Sequence, residues 1–193
     1  MIVRKFLDSD IEDASKITHA VWGNLYANNS CDLQKFIYDF TLEYYYLNKK
    51  FSFVLYDDIL CGLIFASLKT DRNSTIEKYN NKILLLNEKD KQIALNLFEY
   101  VENAGREVKN FMNSDDLMMG LFISQKKGGG KILLSKLVDA AKENDIKNIY
   151  LWTDTTCDFH YYQKNNFIPV KEFCFTVNGK KIDTFIFKKN LAE

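Results

Sequence analysis

Residues Leu117–Leu137 read LMMGLFISQKKGGGKILLSKL. The first part, Leu117–Ile123, is a continuous apolar run, the pattern of a strand buried on both faces. A polar turn follows, and then Leu134, Leu137, Val138 and Ala141 recur at helical spacing to about Asn144. Between the two stand Gly128, Gly129 and Gly130. Glycine loses more backbone entropy on ordering than any other residue, so three in a row before a helix need a reason. A glycine-rich turn between a buried strand and a helix aims free backbone N–H groups and the helix dipole at an anion.

The rest of the chain arranges itself around this unit. Downstream, KNIYLWT (147–153) reads as a strand, 157–165 as a short helix, and 167–177 with 180–188 as a closing hairpin turned at Asn178–Gly179. Upstream, IVRKF (2–6) is a short strand. Ser9 and Glu12 have capping-box spacing ahead of Ile11, Ala14, Ile17 and Val21. A second helix follows Asp32, with Leu33, Ile37, Phe40 and Tyr44 on one stripe. FSFVLY (51–56) and ILCGLIFASL (59–68) read as strands joined at Asp57–Asp58. Residues 70–113 open with DRNST and then carry Ile93, Leu97, Val101, Ala104, Val108 and Phe111, a long one-faced helix. No Pro/Gly/Ser linker flanks this stretch, so it reads as a helical insertion within one domain spanning 1–193. The fold class is α/β, a mixed central sheet of about seven strands flanked by helices, with the insertion between the third and fourth strands.

Composition narrows the function classes. Lysine plus arginine and aspartate plus glutamate balance at 26 each, which argues against a nucleic-acid partner. The four cysteines show no C-x-x-C pair and there are two histidines, so a zinc site is not expected. No secretory signal and no apolar run of membrane-spanning length is visible, and reduced thiols fit a cytoplasmic protein without a membrane partner.

Two phosphate motifs fail on inspection. In G-x-x-x-x-G-K-[ST], Gly130–Lys131 supplies the G-K pair, but Ile132 stands for the Mg²⁺-binding hydroxyl and Gln125 for the first glycine. The dinucleotide pattern G-x-G-x-x-G is absent. Gln125–Gly130 instead spells Q-x-x-G-x-G, which resembles the [R/Q]-x-x-G-x-[G/A] acyl-CoA pyrophosphate loop of the GNAT N-acetyltransferase superfamily. Tyr161–Phe167, YYQKNNF, resembles that family's F-Y-x-x-x-G-F segment in order and distance, and LWTDTTCDF resembles its strand-to-helix junction. Asn166 takes the place of the usual glycine, and asparagine tolerates a left-handed backbone better than most residues.

The resemblance implies an acetyl-CoA-dependent N-acetyltransferase, with acetyl-CoA as co-substrate and no metal. The acceptor would be a primary amine of a small molecule or peptide, attacking the thioester directly, and the chain is open to homodimerisation. Gln125, Lys126, Lys127, Gly128, Gly129, Gly130 and Lys131 would meet the phosphates, although loop lysines are equally often only solvated. Leu121, Phe122 and Ile123 would pair through their main chain with pantetheine, one amide facing the thioester oxygen. Tyr162 would protonate the departing thiolate. Asp116, or its neighbour Asp115, can serve as base at the start of the strand, or be plain surface charge. Cys157 and His160 lie three apart, but no third group orients them. Tyr44, Tyr45 and Tyr46 are open to an acceptor-pocket or a core role. A non-catalytic CoA-binding module stands as the alternative reading.

Overall fold

The computed structural model describes residues 1–26, 29–177 and 179–191. In chain order its elements are β1 (Ile2–Lys5), α1 (Ile11–Tyr26), α2 (Cys31–Tyr45), β2 (Ser52–Asp57), β3 (Ile59–Leu68), α3 (Thr75–Lys82) and α4 (Glu88–Lys109). They continue with β4 (Leu117–Ser124), α5 (Gly129–Lys142), β5 (Asn148–Asp154), α6 (His160–Lys164), β6 (Ile168–Val177) and β7 (Lys180–Asn190). The strands form one seven-stranded sheet in the order β1-β2-β3-β4-β5-β7-β6. Every neighbouring pair is antiparallel except β4 and β5, which α5 connects as a crossover.

Helices cover both faces. Leu133, Leu134, Leu137, Ala140 and Ala141 of α5 pack on Phe53, Leu55 and Met119 from one side, together with α6. On the other side, Ala14 and Ile17 of α1 and Leu42 and Tyr45 of α2 meet Leu63, Phe65, Leu121 and Ile123. The apolar stripe of α2 also faces outward, where Leu33, Phe36, Ile37 and Phe40 pack on Tyr79, Ala94, Phe98 and Val101 of the insertion. The insertion therefore shares a core with the sheet's helical layer, and it consists of two helices where one was expected. The shorter, α3, begins within the polar stretch at Thr75, and its Tyr79 is fully buried with its hydroxyl donated to Glu43 (2.9 Å).

Local chemistry differs from expectation at the first helix. The chain enters α1 through a 3-10 turn at Asp8–Asp10, and the carboxylate of Asp10, not Ser9, accepts the Leu7 N–H (2.9 Å). Arg4 pairs with the same carboxylate at 2.7 Å and holds Asp10 below its usual range, which locks β1 to the helix entry. Asp58 and Asn166 occupy the left-handed region at φ 67° and 62°, as a tight hairpin and the glycine-like position require. Asn178 lies outside the described residues; Gly179 beside it has φ 76°. No described helix is long and apolar enough to cross a membrane.

Burial of so many phenols has a measurable consequence. Tyr44 is pushed up to about 12, and Tyr45, Tyr79, Tyr100 and Tyr162 also lie above their ordinary value of 10.0, chiefly because burial disfavours the charged form. The unfolded chain then loses these protons first. Their contribution to stability is complete below pH 10 and falls as pH rises from 10 through the folded-state values. A melting-temperature series across this window should drop steeply above pH 10, with tyrosinate absorbance rising together with unfolding. Ionisation of most tyrosines in a still-folded chain would contradict this burial.

Candidate functional site

The site begins with a break in the sheet. The β4–β5 ladder consists of two residue pairs, Leu117↔Ile149 and Met118↔Tyr150, after which the strands part. The cause is local. Opposite Phe65 and Ala66 of β3, β4 presents Leu121 and Met119, so Gly120 is an extra residue in a β-bulge that bends the strand away from β5. Only glycine fits there: a Cβ on Gly120 would lie 2.3 Å from Cδ1 of Tyr45, whose ring rests on the bulge. Beyond it, the edge of Leu121, Phe122 and Ile123 that faces β5 carries main-chain groups without a strand partner.

At the open end of β4 stands the glycine turn. Ser124 ends the strand, and the Gln125 N–H is tied to the Cys61 carbonyl of β3 (2.9 Å). Gly128, at φ 82°, turns the chain left-handed into α5. Gly129 and Gly130 belong to the first helical turn, not to the loop. A Cβ on Gly129 would meet Leu55 Cδ2 at 2.5 Å and Ser124 Oγ at 2.7 Å, so the glycines let the helix start press against the sheet. Among the described residues, the N–H groups of Lys126, Lys127, Gly128, Gly130 and Lys131 have no backbone partner. N–H groups left open at the positive end of a helix are suited to cradle an anion. Lys126 is engaged by Asp57 (3.0 Å), which raises the lysine's pKa and lowers the carboxylate's. Lys127 and Lys131 stand exposed beside the cradle.

Two tyrosines of α6 are placed differently. The ring of Tyr162 packs on Phe167 (5.7 Å) and Phe187 (5.9 Å). Burial, with the Cys157 thiol nearby, pushes its pKa up. Tyr161, expected as core, packs its ring on Phe122 (5.5 Å), and its buried hydroxyl has no hydrogen-bond partner. That hydroxyl lies 3.2 Å from where a Cβ of Gly130 would stand, at the head of the cradle. A buried, unbonded hydroxyl there is a donor awaiting a polar group.

The candidate base does not join them. Asp116 is fully buried at the closed end of β4, where its oxygens accept the Asn113 N–H (2.8 Å) and the Asn148 amide (2.7 Å). It fastens the loop before β4 to β5. Asp115 pairs with Lys147 on the surface (3.1 Å). Cys157 precedes α6 rather than sharing it with His160, whose ring Nδ1 contacts Gln163 (3.3 Å). The buried carboxylate at the open end is Asp154, the last residue of β5. It accepts the Tyr100 hydroxyl (2.8 Å) and the Thr156 N–H (2.8 Å), and Tyr100 also meets Thr184 (3.0 Å). Neither Asp154 nor Tyr100 stands out in sequence. The only signal is a strand that ends in aspartate before two threonines, an Asx-type turn.

Comparison with known proteins settles the architecture. No family model matches the chain, and no curated protein matches it by sequence. Solved structures do. An acetyltransferase of the GNAT family from Desulfovibrio desulfuricans superposes with a TM-score of 0.59 at 9% identity, over 99% of each chain. The yncA structure from Salmonella typhimurium, solved with its cofactor acetyl-CoA, gives 0.56 at 14% identity, over 100% of this chain and 95% of its own. The chain has the GNAT fold. An aminoglycoside 6'-acetyltransferase type Ii is similar as well, with a TM-score of 0.58 and 14% identity over 100% and 99% of the two chains. Within the GNAT fold of this chain, the strands part before Leu121–Ser124 and the Gly128–Lys131 helix start lies just beyond that stretch, with the insertion on the face of the sheet opposite α5.

Proposed function

We propose that this protein is an acetyl-CoA-dependent N-acetyltransferase that transfers an acetyl group to a primary amine by direct attack. The observation that carries the reading is the two-pair β4–β5 ladder opening beside the glycine-led start of α5. An acyl-CoA molecule needs both features, a slot for an extended amide-bearing arm and a cradle for a pyrophosphate. The residues fit this co-substrate: the N–H groups of Lys126, Lys127, Gly128, Gly130 and Lys131 would hold the phosphates. The unpaired edge of Leu121–Ile123 would pair with the arm, and the free hydroxyl of Tyr161 would donate to it. When bound, acetyl-CoA supplies the acyl thioester and a thiolate leaving group.

The chain's own residues do the rest. A β4 main-chain N–H at the bulge stabilises charge that develops on the carbonyl oxygen. The neutral amine would form the new C–N bond as the C–S bond breaks, Tyr162 would give its phenolic proton to the sulfur, and the proton shed by the nitrogen would return to the phenolate through solvent. A phenol whose ordinary value is 10.0, raised further by burial, carries its proton at neutral pH. The second reading, CoA binding without turnover, is favoured by the engagement of both Asp116 oxygens in structural bonds, which leaves the expected base unusable.

Acetyl-CoA at 100 times its Kd should raise stability by about 2.7 kcal/mol, with ATP–Mg²⁺ giving no shift. Gly128→Val places a β-branched residue at φ 82°, where L-residues cost about 1–2 kcal/mol, so acetyl-CoA affinity should fall roughly tenfold or more while the far-UV spectrum stays native. A thermal shift with ATP and none with acetyl-CoA would sink the proposal. Acetyl-CoA binding with no CoA release on any amine would select the second reading.

A further inference from the structure

A cavity of about 390 Å³ lies on the face of the sheet opposite α5, between α2, α3, α4 and the bulge of β4. Its floor is Gly120, Met118 and the rings of Tyr44 and Tyr45, and Tyr45 rests on the bulge where the strands part. Tyr44 and Tyr45, open in sequence to a pocket or a core role, line this cavity. Tyr46 packs on Phe6 and Phe65 instead.

One wall is a row of α4: Glu102, Gly105, Arg106 and Lys109. Gly105 sits inside a helix of 22 residues, where glycine is disfavoured relative to alanine. Packing does not demand it, because a Cβ there would meet a single neighbour, Tyr44 Oη, at an ordinary 3.7 Å. What the missing methyl preserves is the open space in front of it.

The row also has a direction. At its Glu102 end, the Val101 carbonyl accepts the Tyr44 hydroxyl (3.4 Å) and Tyr100 bonds Asp154 at the open end of β5. At its Lys109 end, Val108 and Met112 pack on Met118 and Tyr150, the pair where β4 and β5 still touch. On the α4 wall the carboxylate therefore lies toward the reacting end and the cations away from it; Asp71, Arg72 and Glu77 line the cavity as well, and Asp71 is held by the Asn48 amide and the Leu68 N–H. Arg106 and Lys109 follow Glu102 by four and seven positions, about 6 and 10 Å along the helix axis. Among the described residues Glu102 and Lys109 form no ion pair, and Arg106 contacts Asn103, a neutral side chain. Opposite charges left uncombined on one wall match a ligand that carries both.

We infer that this cavity takes the acceptor, and that the acceptor is a small amine with an anionic group at the far end of a short apolar body. Its ammonium lies toward Glu102 and the bulge, and its anion lies between Arg106 and Lys109. Ile76 and the tyrosine rings cover the body. The inference rests on the acetyltransferase reading and specifies its substrate class.

The test uses ε-aminocaproate, its primary amide and n-hexylamine as acceptors, with CoA release as the readout. The carboxylate should be preferred over both analogues by about tenfold in kcat/KM. In the Arg106→Gln/Lys109→Met double variant that ratio should collapse toward one. Gly105→Ala should raise the melting temperature, as alanine does in a helix, and raise the KM for ε-aminocaproate without altering acetyl-CoA affinity. A wild-type ratio near one, a preference for n-hexylamine, or a Gly105→Ala variant with unchanged KM overturns the inference. So does acetyl-CoA binding with none of the three amines accepted. Failure of acetyl-CoA itself to shift wild-type stability is a separate result and removes the acetyltransferase reading instead.

Discussion

Tyr162→Phe should lower kcat by about 10²-fold, with acetyl-CoA affinity nearly unchanged. The substitution removes one oxygen and leaves the ring on Phe167 and Phe187, so packing is preserved. General acid catalysis contributes ~10²–10⁴-fold, and a thiolate is a fair leaving group, which sets the expectation at the lower end. Tyr161→Phe is the comparison. Its hydroxyl is buried and unbonded at the head of the anion cradle, so losing it should raise the KM for acetyl-CoA and spare kcat. Steady-state rates of CoA release for the two variants separate the roles. Equal, small losses in both would reduce Tyr162 to a packing residue. A kcat loss confined to Tyr161→Phe would move the acid to that hydroxyl.

Phe40→Ala should destabilise the protein by about 3–5 kcal/mol, a large share of the ~5–15 kcal/mol that holds an ordinary domain. Phe40 is 1% exposed, and its ring meets Tyr44 (5.3 Å), Tyr79 (5.4 Å) and Phe98 (4.4 Å). Three helices thus share one side chain, and two of them belong to the insertion. Urea denaturation should show one transition at a lower midpoint. Deleting Asn73–Asn110 would bare the same face of α2 and should give an insoluble chain. If Phe40→Ala cost under about 1 kcal/mol, or the deletion stayed soluble with unchanged acceptor kinetics, the insertion would be an appendage resting on the surface.

Much of this molecule was legible in the chain because the signals are local. Apolar continuity marked Leu117–Ile123 as a two-faced strand, and helical spacing marked α2 and α4. Glycine clustered where the backbone turns left-handed at Gly128, and Asn166 took the glycine-like conformation that its place in YYQKNNF demands. The order of elements followed, and with it the fold. Local pattern also misled at the helix entry, where Ser9 and Glu12 have capping spacing but Asp10 makes the bond. Arg4 comes from a neighbouring strand and fixes that carboxylate in place.

The rest is decided by residues far apart in sequence. Asp116 and Asp154 are both aspartates at the ends of buried strands, and nothing in their neighbours separates them. One is used up fastening Asn113 and Asn148 at the closed end, and the other meets Tyr100, 54 positions away, at the open end. Gly120 looks like a strand interruption until the ring of Tyr45 is laid on it, and Gly105 looks like a helix defect until the cavity appears in front of it. Periodicity assigns a residue to an element and a face. Which carboxylate lies at the open end of the sheet, and which glycine borders a cavity, depends on how separate elements pack, and a linear sequence does not encode that at any fixed spacing.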